Sequence, residues 1–262
     1  MFSGRFLTVL VCWLVLAPSV AVAAEGADSG FVLDSRVALE GYRAAVEARL
    51  NGALTATRTL AATEEVRSGD WARIRGPLTV MAAGLKEQAA VWYMQPDGSY
   101  YNVDRGLTGE SLRDREYFPA LLAGRDVIGA LVISKSTGSR SLIVASPVLV
   151  GDKLAGAVGV SIDAAKLAAS IDQAIHFPPD VVFYALDQQG RTSIHRAGDL
   201  IFVFPSDVGS ATLSDAVKTM LGQPEGVVRY QYKGDKTAVF QRSELTGWVF
   251  VLGKTHRPDP KP

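Results

Sequence analysis

Between residues 34 and 63 apolar side chains recur at helical spacing. Val37, Tyr42, Val46, Leu50, Leu54 and Leu60 fall on or near one stripe, with Glu40, Arg43, Glu47 and Arg58 mostly away from it. This predicts a long amphipathic helix, which Gly41 and Gly52 weaken only modestly. A second helix is predicted over 70–87. The period then drops to two. Residues 89–94 and 99–103 read as strands around the turn Pro96-Asp97-Gly98, a combination that favours a hairpin. A loop and short helix follow over 113–123. Further strands are predicted at 130–134, 142–150 and 154–162, the last two joined by Gly151-Asp152-Lys153. Asp163 can cap a helix over 164–175, because its carboxylate can accept the free amide hydrogens of the first turn.

His176-Phe177-Pro178-Pro179 interrupts the pattern and marks a boundary. The sequence then repeats the plan in smaller form: strand 181–186, turn Asp187-Gln188-Gln189-Gly190, strand 191–195, helix 213–221, and strands 227–232, 236–242 and 248–252. Trp248, Tyr230 and Tyr232 are expected in the core of this second unit. The expected fold class is α+β, with a long N-terminal helix followed by two modules, each an antiparallel sheet flanked by helices. The expected divisions are 1–24 as a signal peptide, 25–87 as N-terminal helices, 88–176 and 177–253 as the two modules, and 254–262 as a polar tail.

The ends and the charge bound the setting. Arg5 precedes an apolar run from Phe6 to Leu16, Pro18 breaks it, and Ala21-Val22-Ala23 has the small-x-small form of a cleavage site. This reads as a secretory signal, with the mature chain starting at Ala24 or Glu25. The alternative is an uncleaved helix anchoring the protein to the inner membrane, since the apolar run approaches spanning length. Cys12 is the sole cysteine and lies in that run, so the mature chain is expected to have no disulfide and no thiolate chemistry. The 27 Lys and Arg residues balance 27 Asp and Glu, which argues against nucleic acid or anionic lipid as a partner.

Enzymatic signatures are lacking. His176, His195 and His256 stand far apart, outside any metal-ligand spacing. His176 suits a helix end, and His256 falls in the tail. No nucleophile elbow, Walker loop or dinucleotide fingerprint occurs. Gly156 and Gly159 sit inside a strand pattern, where close packing explains them better than a phosphate site. Glu64 and Glu65 fall on a helix surface. The expectation is no enzyme, no metal and no cofactor.

The stretch 111–163 holds four motifs in order: Arg115-Glu116-Tyr117-Phe118 in a charged turn, Ser134 to Gly138 as S-x-x-T-G, Ser146-Pro147-Val148 in a strand, and G-x-x-G-x-x-I-D from Gly156 to Asp163. Their order and spacing resemble the ligand-binding half of a Cache domain, the PAS-like extracellular sensor module of bacterial chemoreceptors and sensor kinases. With the repeated second half, which matches by pattern more than by motif, the resemblance extends to the double-Cache arrangement over nearly the whole mature chain. It implies two PAS-like modules, small-molecule binding in the first, and signalling rather than catalysis. Without a later membrane helix or cytoplasmic module, the chain looks like a free periplasmic sensor that works through a membrane receptor or sensor-kinase partner. A homodimer through the N-terminal helix is compatible with this. The rival reading is a structural or accessory domain of a membrane signalling complex, its pocket filled by its own side chains.

The resemblance also suggests a site. Arg115 matches the arginine that holds a ligand carboxylate in the amino-acid-binding branch, and a guanidinium fork suits a carboxylate because two parallel charge-assisted bonds form at once. The bland alternative pairs Arg115 with Glu116 or Asp114 on the surface. Tyr117 and Phe118 match the pocket aromatics. Trp92 and Tyr93 must point to opposite faces of their strand, and Trp92 and Tyr101 are taken as the pocket pair. Ser134 and Lys135 would face the Arg115 turn, with Lys135 assisting an anion or simply solvated. The family's acidic residue for the ligand ammonium is absent, since Ser161 occupies that place. A buried ammonium without an opposite charge costs several kcal/mol, which favours a small organic acid or related metabolite over an α-amino acid. Asp163, two residues on, would restore the acid if the register differed.

Overall fold

The structure is a computed structural model that describes residues 23–135 and 138–256. The apolar run and all but Ala23 of the cleavage motif lie outside the described residues. Helix α1 (Ala23–Ala61) runs for 39 residues. Leu39, Tyr42, Val46, Leu50, Ala53, Thr57 and Ala61 are buried along it at three- and four-residue steps. Val37 does not join this face and is 67% exposed. It stands two positions from Leu39, and thus about 200° around the helix. Helices α2 (Glu64–Arg67) and α3 (Trp71–Gly84) follow, and Asp70 opens α3 by accepting the Ala72 N–H at 3.0 Å.

The first sheet contains β1 (Gln88–Met94), β2 (Ser99–Asn102), β3 (Gly106–Ser111), β4 (Val127–Ile133), β5 (Arg140–Val150) and β6 (Lys153–Asp163) in the order β3-β2-β1-β6-β5-β4. Strand β3 is an addition to the expected set. Its Gly-Leu-Thr-Gly-Glu-Ser sequence has little β-branched content, and Gly106 and Gly109 take positive φ. The short α4 (Phe118–Leu122) lies between β3 and β4, and α5 (Ala164–Ile175) follows β6. Pro147 is tolerated in β5 because pairing with β4 ends at Ala145, so its missing N–H leaves no gap in that ladder. Ser146 beside it hydrogen-bonds Thr57 of α1 at 2.8 Å.

The second sheet contains β7 (Val181–Leu186), β8 (Thr192–His195), β9 (Glu225–Gln231), β10 (Asp235–Arg242) and β11 (Val249–Thr255) in the order β8-β7-β11-β10-β9, with α6 (Pro205–Val208) and α7 (Ala211–Gly222) between β8 and β9. Apart from β3, the pairing order repeats that of the first sheet. Strand β11 runs past the expected end of the module, and His256 is held by Thr237 at 2.8 Å rather than lying in a loose tail. Residues 257–262 lie outside the described residues.

One face of each sheet packs on a shared core with α1, α3 and α5, in which Val91, Tyr93, Val158, Phe183, Phe250 and Leu252 meet Tyr42, Val46 and Leu50. The outer faces have separate covers. Phe118 and Leu121 of α4 close over the first sheet, and Leu213, Val217 and Met220 of α7 close over the second. Trp248 departs from expectation. It belongs to the shared core and reaches the first sheet at Gly129, where an added Cβ would come within 2.7 Å of its ring. Gly129 has φ +76° at a bulge in β4, a backbone state that suits glycine.

Candidate functional site

Trp92 and Tyr93 part company as period two requires. Tyr93 enters the shared core and donates to the Ala155 carbonyl at 3.0 Å, while its ring lies over Gly156. Burial pushes its hydroxyl up to about 12. Trp92 takes the outer face, and its indole lies over Gly159, where an added Cβ would overlap the ring. Both glycines are therefore packing positions. Trp92 Nε1 donates to Ser161 Oγ at 3.2 Å. Its ring stacks on Tyr117 at 6.5 Å and meets Tyr100 edge-on at 6.5 Å. Tyr117 and Phe118 are buried in this cluster. Burial raises the Tyr117 hydroxyl well above its usual range, with Arg115 opposing the shift, so Tyr117 is a neutral donor.

Tyr101 was expected to pair with Trp92 and does not. The register sets Tyr101 opposite Tyr93, so both point to the helix face, and Tyr101 stacks on Trp71 of α3 at 4.7 Å. Asp163 is also elsewhere. The chain turns into α5 at this point, and the carboxylate accepts the N–H groups of Ala165 and Lys166, each at 3.0 Å. Ser161 thus stays on the outer face and no register slip brings an acid there.

The turn of Arg115 is tied to the end of β4. Lys135 donates to the Ser111 carbonyl at 2.6 Å and to both Asp114 oxygens at 2.7 and 2.9 Å. Lys135 is therefore neither solvated nor free for an anion, and its hydrogen bond holds the Asp114 carboxyl below its usual range. Ser134 is buried, and its backbone closes the loop through Ser139 and Gly138, each at 2.8 Å. Arg115 makes no ion pair with any described residue, including Asp114 and Glu116. Its Nη2 donates to the Ile133 carbonyl at 2.8 Å, and its Nε is buried without a partner.

Arg115 borders a cleft of about 330 Å³ between the two sheets. Tyr117 and the β4 segment from Ile128 to Val132 form one side, and Asp187, Arg191, Thr246 and Trp248 form the other. The sequence did not single out the second side. Asp187 spends its carboxylate locally, on the N–H groups of Gln189 and Arg191 and on the Arg191 side chain, so nothing in the local pattern announces that it faces the Arg115 turn. The bulge glycine in β4 was the available signal. Among the described residues no cluster of His, Cys, Asp or Glu could hold a metal ion, and no helix is long and apolar enough to cross a membrane.

No family model matches the chain, and no curated protein matches it in sequence. Solved structures do. The sensor domain of the histidine kinase DctB from V. cholerae superposes with TM-score 0.67 at 13% identity, covering 88% of this chain and 99% of that one. The ligand-binding domain of the amino acid chemoreceptor PctB from Pseudomonas aeruginosa, in complex with L-Arg, gives 0.66 at 18% identity, with 80% and 89% covered. That of the Campylobacter jejuni chemoreceptor Tlp3, in complex with 4-methylisoleucine, gives 0.64 at 10% identity, with 89% and 96% covered. The chain has the fold of bacterial extracellular sensor domains. A long helix and two antiparallel sheets flanked by helices are therefore in place, as the Cache-type motifs implied.

Proposed function

We propose that this chain is a periplasmic sensor that binds a small organic acid at the Arg115 turn and passes its ligand state to a membrane receptor or sensor-kinase partner. The observation that carries the reading is the state of Arg115. Its neighbours Asp114 and Lys135 satisfy each other, while Arg115 is half-buried at a cleft, held by one carbonyl, with a buried Nε unpartnered. An unpaired buried donor is costly, and an arriving carboxylate offers the planar acceptor it lacks. The fold supports the sensing class, because two of these neighbours, the PctB and Tlp3 domains, were solved with amino acids bound. The preference for a ligand without an amine rests on two of the cleft's carboxylates: Asp114 is taken by Lys135 and Asp187 by Arg191 and its own turn. The secretory pattern of residues 1–24 supports the compartment, and pairing through α1 is a compatible arrangement for a dimer.

A second reading has its own observation. Trp92, Tyr100, Tyr117 and Phe118 close the outer face of the first sheet with their own side chains, as a structural or accessory domain would. Thermal shift separates the two, because a ligand bound only by the native state raises the melting temperature by mass action. A panel of acetate, lactate, succinate, L-Arg, L-Gln and isoleucine should give its largest shift with a member lacking an amine. A larger response to the amino acids would remove the organic-acid assignment, and no response across small carboxylates and amino acids would favour the structural reading.

A further inference from the structure

The outer face of the second sheet encloses a separate cavity of about 200 Å³. Its floor is Tyr184 and Tyr230, whose hydroxyls meet at 3.2 Å. The segment between β8 and α7 folds over it and contributes Leu200, Val203 and Val208, and α7 adds Leu213. These walls are apolar, and the volume is of the order that accepts a single ring: a cavity of about 150 Å³ lined by aliphatic and aromatic groups holds benzene.

No polar side chain on this cavity is anionic: it is lined by the hydroxyls of Thr192 and three tyrosines, by His195 and by two lysines. His195 accepts the Ala197 N–H on Nδ1 at 2.8 Å, so the neutral ring carries its proton on Nε2. The ring stacks on Tyr184 at 5.6 Å, and burial pulls its pKa down to about 4. Lys236 gives one N–H to Thr255 and keeps two, and burial pulls its pKa down as well. Lys233 stands at the rim with its Nζ 5.5 Å from the Tyr232 ring. Neither lysine forms an ion pair with a described residue, and no Asp or Glu lines the cavity.

We propose that this cavity is a second ligand site, taking a monocarboxylate with a compact apolar body such as a single aromatic ring or a branched chain. The walls bury the apolar body, and the carboxylate meets Lys236 and Lys233. The charge balance selects against other small apolar molecules. An amine would add a third cation, and an α-amino acid would leave its ammonium beside two lysines with no acid to hold it. A carboxylate instead relieves the half-buried Lys236 of an uncompensated charge.

The test uses the intact protein with phenylacetate, 3-methylbutanoate, benzylamine and L-phenylalanine as probes, read by titration calorimetry and by chemical-shift mapping. Phenylacetate or 3-methylbutanoate should bind and shift resonances of His195, Tyr230 and Tyr232, while benzylamine and L-phenylalanine should not bind there. Lys236→Gln should weaken the acid by about tenfold, the value of one charge-assisted hydrogen bond, and Lys233→Gln by less, because Lys233 is exposed. No binding of either acid, shifts confined to the Arg115 cleft, or equal binding of benzylamine would overturn the proposal. Unchanged affinity in both lysine variants would also overturn it, because the site would then be recognising shape alone.

Discussion

The two sheets are built on one pairing plan and differ on their outer faces. In the first, Gly159 of β6 lies opposite Trp92 of β1, and the indole covers it. In the second, Trp92 has its counterpart in Tyr184, six residues before the turn glycine in each hairpin, and the glycine of β11, Gly253, lies instead opposite Val182 of β7. The side chain beside this glycine is a small aliphatic one, and a cavity opens there. The first sheet is closed over its centre, and its opening is displaced to the edge, where Arg115 meets the second sheet. A large ring over its glycine leaves the first face filled, while a small side chain beside its glycine leaves room on the second.

The comparison breaks most visibly at Gly159. Gly159→Ala drives a methyl into the Trp92 ring with both sides packed, and should destabilise by about 3 kcal/mol, the upper range for overpacking a filled core. Chemical denaturation measures it; a loss too small to resolve would mean the indole is free to move. Next comes the charge state of the open face. His195 titrates near 4 in the folded protein against 6.5 for the free side chain, mainly through burial, with Lys233 and Lys236 adding to the shift and Asp199 opposing it. Between those values the unfolded chain binds a proton that the folded chain refuses, so stability rises with pH across pH 4 to 6.5 and the contribution is complete above it. His195→Gln should remove up to about 3 kcal/mol of that pH dependence, at roughly 1.4 kcal/mol per pKa unit. Equal slopes in both proteins would place His195 in open solvent. The smallest effect is at Gly253. An added Cβ there lies 3.3 Å from Val182 and from the Tyr230 hydroxyl, both of which border empty space. Gly253→Ala should therefore cost about 1 kcal/mol or less. A cost matching that of Gly159→Ala would erase the distinction between the faces.

Much of this was legible in the residues, and the misses have physical causes. The hairpin at Pro96-Asp97-Gly98, the cap at Asp163 and the repeated strand plan all follow from local chemistry, and they are present. The position of Arg115 in its turn followed from the motif. Strand alternation placed Trp92 and Tyr93 on opposite faces. The side taken by Tyr101 depends on cross-strand register, which pairs it with Tyr93. Val37 looked like part of the α1 stripe because apolar content alone does not fix the centre of a buried face; Leu39 sits there instead. Lys135 and Asp114 lie 21 positions apart, and their pairing exists only once β4 returns beside the turn. The second cavity left no signal, because its cover, the segment between β8 and α7, has no apolar period from which a face could be read.

The central claim rests on Arg115, and titration calorimetry reaches it most directly. The small carboxylate with the largest thermal shift would be titrated into the wild-type protein, Arg115→Ala and Arg115→Lys. A desolvated charge pair is worth about 2–5 kcal/mol, so Arg115→Ala should lose about thirtyfold or more in affinity at roughly 1.4 kcal/mol per decade. Arg115→Lys should recover only part, because a point charge cannot reproduce the fork. Unchanged affinity in Arg115→Ala would contradict the account and leave Arg115 as a residue that merely ties its turn to Ile133.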